Sequence, residues 1–329
     1  MTAKPLVLLT GATGFAGSHM LDVLVAAGYR VRIPVRPVSD LRWLPAEGVE
    51  PVAADLRETD SLRELVRGVG WIIHYAGVTR VPRPEQFHRI NTEGTIRLFA
   101  VARDESPDFE LFVYISSLAA AGPAPSAERP RREVEAPAPI TAYGVSKLEA
   151  ERWLETNRAP GKRVLILRPP AIYGPRDTAL LFLFKLVHRG ILPLPAPAHS
   201  RLSLVAAQDV AGAGLHLAQR GAEGTYFVAD GEFHRWDATA RLAARALGVS
   251  ARAVRIPRLV SGFAGEVGGI WAALTQRTPV INPDKVRDLI EPFWICSIDK
   301  LRAEGYEPRI PLERGIPETI AWYRDAGWL

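Results

Sequence analysis

The chain has 329 residues, 47% apolar and 23% charged, with no long low-complexity tract, which excludes a disordered or fibrous chain. Its one cysteine, Cys296, excludes an intrachain disulfide and fits a reducing, cytoplasmic setting. The net charge of +5 reads as an arginine-rich solvated surface and not a nucleic-acid face, and no uncharged apolar run reaches the roughly 18 residues of a membrane span.

Residues 1–9 are too short for a signal peptide and run straight into a strand-like segment. Leu6-Val7-Leu8-Leu9 lies between Pro5 and a glycine cluster and predicts a buried strand. A helix over 14–27 would put Met20, Leu21, Leu24 and Val25 on one face and end at Gly28. Strands follow over 31–35 and 49–54, a helix over 58–67 and a strand over 71–76. A long helix is expected over 85–103, then a fifth strand over 111–116. The Arg129-Pro130-Arg131-Arg132 run reads as an exposed loop. A helix over 141–156 and a strand over 164–168 complete the series. Six strands alternating with helices imply a parallel α/β sheet covered on both faces and doubly wound by right-handed crossovers.

Thr10-Gly11-Ala12-Thr13-Gly14-Phe15-Ala16-Gly17 joins the first strand to the first helix with glycines at every third position. Glycine lets the backbone turn sharply and approach a pyrophosphate, and the helix N-terminus offers free N–H groups and a positive dipole end. Gly11, Thr13, Gly14, Phe15 and Gly17 are therefore candidate cofactor residues in a Rossmann-type fold. The second strand ends Arg32-Ile33-Pro34-Val35-Arg36-Pro37. It offers no acid for a ribose 2′-OH, while Arg36 is placed for a 2′-phosphate. NADP(H) is the expected cofactor and NAD(H) the second choice; the plainer reading of Arg36 is a solvated strand end. The alternation breaks down after Pro169. Residues 1–172 are accordingly read as the dinucleotide-binding domain and 173–329 as a smaller, interleaved substrate region, with a strand near 225–229 returning to the main sheet.

Tyr143-Gly144-Val145-Ser146-Lys147 puts Tyr143 and Lys147 one helical turn apart on one face. An ammonium near a phenol favours the phenolate, and such a tyrosine can exchange a proton with an alcohol or ketone. The spacing alone is weak, because surface Tyr and Lys pairs are common. With the glycine loop and Ser116-Ser117, however, it resembles the extended short-chain dehydrogenase/reductase family, which includes NAD(P)-dependent epimerases, dehydratases and 3β-hydroxysteroid dehydrogenase-like enzymes. Further matches are Asp55-Leu56, His74-Tyr75-Ala76-Gly77, Asn91-Thr92-Glu93-Gly94-Thr95, Leu167-Arg168-Pro169-Pro170-Ala171-Ile172-Tyr173-Gly174-Pro175 and Trp322-Tyr323, so the resemblance covers nearly the whole chain.

The resemblance implies that Tyr143 is the general acid/base, that Lys147 binds the nicotinamide ribose and tunes Tyr143, and that Ser117 hydrogen-bonds the reacting oxygen. Ser117 is preferred to Ser116 because it stands five residues before Gly122. Asp55 and Leu56 would flank the adenine, and Ala76, Gly77 and Pro170 would line the cofactor. Asn91 is read as a helix-bending residue and not a proton relay. No metal site is expected. The resemblance also implies a homodimer through the helices carrying Asn91 and Tyr143, with Leu98, Phe99 and Leu148 as apolar contacts.

Family members that act on nucleotide sugars often carry an Asn after the sixth strand, where this chain has Pro170-Ala171. Two apolar stretches, 179–184 and 259–274 (with Phe263, Ile270 and Trp271), suit a hydrophobic, steroid- or terpenoid-like secondary alcohol or ketone. They also suit ordinary core. Arg176 and Arg201 keep open a nucleotide-sugar epimerase or dehydratase that retains its cofactor. A non-catalytic NADP(H) sensor or scaffold is the reading of another class.

Overall fold

The computed structural model describes residues 4–194, 197, 199–255 and 283–329. The first six strands in chain order are β1 (Val7–Thr10), β2 (Val31–Val35), β3 (Val49–Ala53), β4 (Trp71–His74), β5 (Leu111–Ile115) and β6 (Arg163–Arg168). Short strands β7 (Ala171–Tyr173), β8 (Ile191–Leu194), β9 (Arg201–Leu202) and β10 (Leu204–Ala206) come next, then β11 (Gly224–Phe227). Seven of these form one sheet in the order β11-β6-β5-β4-β1-β2-β3, with every pairing parallel. Every residue of β1, β4 and β5 is buried, as two-sided helix cover of a central strand demands. Strand order reverses between β1 and β4, so a crevice opens at their C-terminal ends.

The helices are α1 (Phe15–Ala26), α2 (Thr59–Val66), α3 (Glu85–Phe87), α4 (Glu93–Glu105), α5 (Leu118–Ala121), α6 (Ala142–Asn157), α7 (Thr178–His188), α8 (Ala207–Gln219) and α9 (Trp236–Leu247), followed by later ones in the C-terminal part. Met20, Leu21 and Leu24 of α1 meet Val210 and Leu217 of α8 on one face of the sheet. Leu62 and Leu65 of α2, Leu98 and Phe99 of α4, and Leu154 of α6 fill the other face. A third, separate cluster joins Tyr173, Phe184 and Leu247 to Ile316 and Tyr323 of the helix Leu312–Asp325.

Three expectations change. The helix over 85–103 is interrupted by a π-helical turn at His88–Thr92, whose extra residue per turn puts Asn91 inside, 1% exposed. Leu98 and Phe99 are fully buried in the cluster against the sheet and Leu148 is 5% exposed, so none is available to a second copy. In the 179–184 stretch, Phe184 is core, Leu180, Leu181 and Leu183 pack against that core, and Phe182 is 59% exposed. Most of the stretch therefore faces the core from α7, with Phe182 turned outward. The other apolar stretch, 259–274, lies outside the described residues.

One buried ion pair ties α6 to the sheet. Arg168 and Glu151 side chains are 5% and 1% exposed, and the Arg168 Nε donates to Glu151 Oε1 at 3.0 Å. The Ser116 hydroxyl also donates to Glu151. Removing one partner strands a buried charge. Glu151→Ala is expected to lower the free energy of urea unfolding by about 3–5 kcal/mol. A loss below about 1 kcal/mol, as exposed pairs give, would mean the pair carries no such load.

Candidate active site

The glycine loop is built by contacts that no side chain could share. Gly11 has φ +74°, and a Cβ there would stand 2.8 Å from the Ala76 nitrogen. A Cβ on Gly17 would lie 2.1 Å from the Gly11 carbonyl oxygen. The loop is thus pressed between α1 and the end of β4. Gly14 is the N-cap of α1 and supplies no side-chain cap, so the first-turn N–H groups point into the crevice without a side-chain partner. Thr13 and Phe15 are half-buried on this turn, with the Phe15 ring edge-on to His19 at 5.7 Å. This cradle fits a dinucleotide pyrophosphate.

Ser117 ends the run that leaves β5 and caps α5, accepting a hydrogen bond from the Ala119 nitrogen at 3.1 Å. Its hydroxyl lies close enough to the Tyr143 phenol to oppose the upward shift of that group. Tyr143 sits in the first turn of α6, which Thr141 caps by accepting from the Gly144 nitrogen at 3.1 Å. Lys147, one turn on, is buried; its Nζ donates to the Ile115 carbonyl at 2.9 Å and lies 4.8 Å from the centre of the Tyr114 ring. Gly77 belongs to the same group, because a Cβ there would be 3.4 Å from Lys147 Nζ and 3.0 Å from Asn91 Oδ1. Asn91 is a fastener. Its Oδ1 accepts from the Val78 nitrogen at 2.8 Å, and its Nδ2 donates to the Val78 carbonyl at 3.0 Å.

Electrostatics differ from the expectation of a lysine-lowered phenol. Burial pushes Tyr143 up to about 12; the Ser117 hydroxyl opposes this and the Asp288 charge adds to it. Burial also pulls Lys147 down to about 8, against the charge of Glu151. At neutral pH the protein therefore offers a neutral phenol beside a lysine that is still mostly an ammonium. Such a phenol can donate a proton to a developing alkoxide.

At the other end of the crevice, Arg36 is exposed where β2 ends, its backbone nitrogen donating to Ser39 Oγ at 2.9 Å. Asp55 is held by Arg57, whose Nε donates to it at 2.9 and 3.0 Å. That pairing holds the Asp55 carboxyl down to about 2. Leu56 packs against the apolar cluster under α2 and α4. The Ala76 nitrogen donates to Thr10 Oγ1 at 3.2 Å, and Pro170 is half-buried just past β6. Sequence reasoning missed Val78, Thr79 and Arg80, which with Gly77 line a cleft of about 480 Å³ beside Lys147. It also missed Gly144, where a Cβ would fall 2.3 Å from the Ala119 carbonyl oxygen. Arginine three residues past Gly77 was the one available signal for the cleft.

A doubly wound parallel sheet with this loop and this serine, tyrosine and lysine defines an NAD(P)-dependent enzyme of the oxidoreductase or epimerase type. The family model of the NAD dependent epimerase/dehydratase family matches residues 7–229, so the chain belongs to that family, within the extended short-chain dehydrogenases/reductases. The chain is 33% identical over 332 residues to a ceramide reductase of Caulobacter vibrioides, covering 99% of this chain and 97% of that one. It is 27% identical to a 4-hydroxy-2-methyl-3-oxo-4-farnesyl-3,4-dihydroquinoline-1-oxide ketoreductase of Stigmatella aurantiaca, over 94% and 93% of the two chains. The UDP-glucose 4-epimerase of Thermus thermophilus, solved with NAD, shares the fold with a TM-score of 0.80 at 23% identity, over 98% and 99% of the two chains.

Two outcomes follow from the geometry. Tyr143→Phe is expected to reduce turnover by roughly 10²–10⁴-fold. Its cofactor affinity, read by fluorescence titration, should stay near that of the parent; more than about a tenth of parental turnover would remove Tyr143 from proton transfer. The second concerns pH. Lys147 is charged below its value of about 8 and neutral above it, while Tyr143 stays protonated until about 12. Ketone reduction should hold steady up to about pH 8 and decline above it. A rate unchanged well past that point would show that the lysine charge is not used.

Proposed function

We propose that this protein is an NADP(H)-dependent reductase and dehydrogenase that interconverts an apolar ketone and its secondary alcohol. The observation that carries the reading is the neutral, half-buried Tyr143, one helical turn before the Lys147 ammonium and close to Ser117. A bound nicotinamide supplies or accepts the hydride. Ser117 and Tyr143 hydrogen-bond the substrate oxygen, and Tyr143 gives up its hydroxyl proton as that oxygen becomes an alkoxide. Lys147 holds the cofactor ribose and makes the phenolate that remains less costly. In oxidation the same proton returns to Tyr143.

An apolar substrate is supported by Pro170-Ala171, which offers no amide where a sugar would be held, and by the full-length similarity to a reductase named for ceramide. Preference for NADP(H) is supported by Arg36, which is exposed and has no ion-pair partner among the described residues, while the nearby Asp55 is occupied by Arg57. In this reading residues 1–172 hold the cofactor and 173–329 shape the substrate site. We place a homodimer face on the helices that carry Ile90 and Val145, which are 38% and 41% exposed, in place of the buried leucines and phenylalanine first expected there.

The test is a screen of long-chain and polycyclic ketones and alcohols with both cofactors, followed by nicotinamide absorbance. Consumption of NADPH with an apolar ketone is expected. A tightly retained cofactor with UDP- or GDP-sugar conversion and no net absorbance change would establish the epimerase reading instead. Arg36→Ala should weaken NADP(H) by roughly tenfold or more and NAD(H) little, since a charge-assisted contact is worth about 1.5–3 kcal/mol. Equal losses for both cofactors would return NAD(H) to first place.

A further inference from the structure

α7, β8 and β12 (Arg252–Arg255) adjoin one another, with β8 next to α7 and paired with β12. Helical spacing sets Phe182, Lys185 and Arg189 in a single stripe, and all three are exposed. β8 follows α7 directly through Gly190. It pairs in parallel with β12, so that Ile191 stands beside Arg252 and Pro193 beside Val254. Ile191 and Val254 are 42% and 45% exposed, close to the 59% of Phe182. One exposed apolar residue calls for no explanation, but three large ones on adjoining elements mark an interaction surface.

The charge on this face has one sign. No acidic residue occurs from 178 to 194 or from 247 to 255. Lys185, Arg189, Arg252 and Arg255 are exposed, and none has an ion-pair partner among the described residues. α9, which packs against α7, adds exposed Arg241 and Arg245, and its one acid, Asp237, is already held by Arg235 and Arg241. Some exposed arginines elsewhere find acids, as Arg63 and Arg314 do, while others, among them Arg67, Arg89 and Arg152, have no ion-pair partner among the described residues. What sets this face apart is that α7, β8 and β12 carry no acid of their own.

A second copy of this face is a poor occupant, since a two-fold contact would set four cations against four. An anionic bilayer fits both properties at once. A Phe ring can enter the headgroup boundary, and Lys and Arg stems can lie along it with their heads on lipid phosphates. We infer that this face docks on an anionic lipid bilayer, with Phe182 inserted and Lys185, Arg189, Arg252 and Arg255 against the headgroups. The attachment is peripheral, as no described helix is long and apolar enough to cross a membrane. The inference is independent of the substrate reading, and its test uses no activity.

The full-length protein is sedimented with vesicles of phosphatidylcholine alone and of phosphatidylcholine with phosphatidylglycerol, at low and high salt. Binding to the anionic vesicles, lost at high salt, is expected. Lys185→Glu with Arg189→Glu should weaken that binding by about tenfold or more. Phe182→Ser should weaken it by roughly tenfold with the charges intact. Circular dichroism melts establish that each variant is folded. Equal binding to neutral vesicles, no binding by the parent, or folded variants that bind like the parent would each overturn the inference. So would light scattering in which Phe182→Ser converts a dimer to a monomer, since the face would then join two copies.

Discussion

Helix α6 can rest on α5 only because residue 144 has no side chain. Its missing Cβ would fall 2.3 Å from the Ala119 carbonyl oxygen, well inside contact distance. The same holds at Gly122, whose φ is +83° and whose Cβ would stand 2.0 Å from the Ala138 carbonyl oxygen. Between these two points the Ala138 nitrogen donates to the Ala121 carbonyl at 2.9 Å. The two segments therefore meet backbone to backbone, which brings Ser117 at the start of α5 close to Tyr143 at the start of α6. Any side chain at 144 would shift Tyr143 away from the serine without touching either hydroxyl. Small displacements of this kind are costly in a site that depends on orientation.

Along α6, Tyr143, Lys147 and Glu151 follow one another at single-turn spacing and lie in progressively different surroundings. Tyr143 is at the open edge. Lys147 is buried but donates to the Ile115 carbonyl and lies near the Tyr114 ring, which compensates part of its desolvation. Glu151 is deepest and is matched by Arg168 and Ser116. The Glu151 charge favours the Lys147 ammonium, but burial outweighs it, and the lysine ends below its ordinary value. His74 adds no competing cation. Burial first, and the Lys147 charge second, hold it neutral with a value of about 3. Its ring nitrogens face Thr10 Oγ1 at 2.6 Å and Thr95 Oγ1 at 3.0 Å, which link β1, β4 and α4 behind the site.

What sequence made legible follows from what periodicity and local rules encode. The central strands were readable as short unbroken apolar runs, because strands buried on both faces have no alternation to hide. The glycine loop and the Tyr143/Lys147 spacing were readable because each is a local pattern. The π-helical turn was not, since one inserted residue in Glu85-Gln86-Phe87-His88-Arg89-Ile90-Asn91 shifts the face without changing composition. The same shift hid which side of the helix Leu98 and Phe99 occupy. Nor could the approach of Gly144 to Ala119, or the capture of Asp55 by Arg57, be read from spacing, because one is a tertiary contact and the other a choice among nearby cations. After Pro169 the strands shrink to two to four residues, as in β9 and β10, too short for a period to declare itself.

The charge surplus takes on a meaning in three dimensions that its total lacked. A net +5 reads as a solvated surface when spread along the sequence. In the folded chain many cations are matched close to home, as Arg32 is by Glu50, Arg131 by Glu135 and Arg302 by Glu307. Among the cations with no ion-pair partner in the described residues are Arg36 at the end of β2 and Arg80 in the cleft beyond Gly77. They lie toward opposite ends of the crevice at which the uncapped N-terminus of α1 also points its N–H groups. Each would be wasteful as a structural charge, since neither is paired or buried. Together with the helix dipole they give the crevice a positive field along its length. A field of that shape favours an extended anion over a compact one, and a dinucleotide is the extended anion that the glycine cradle has room to admit.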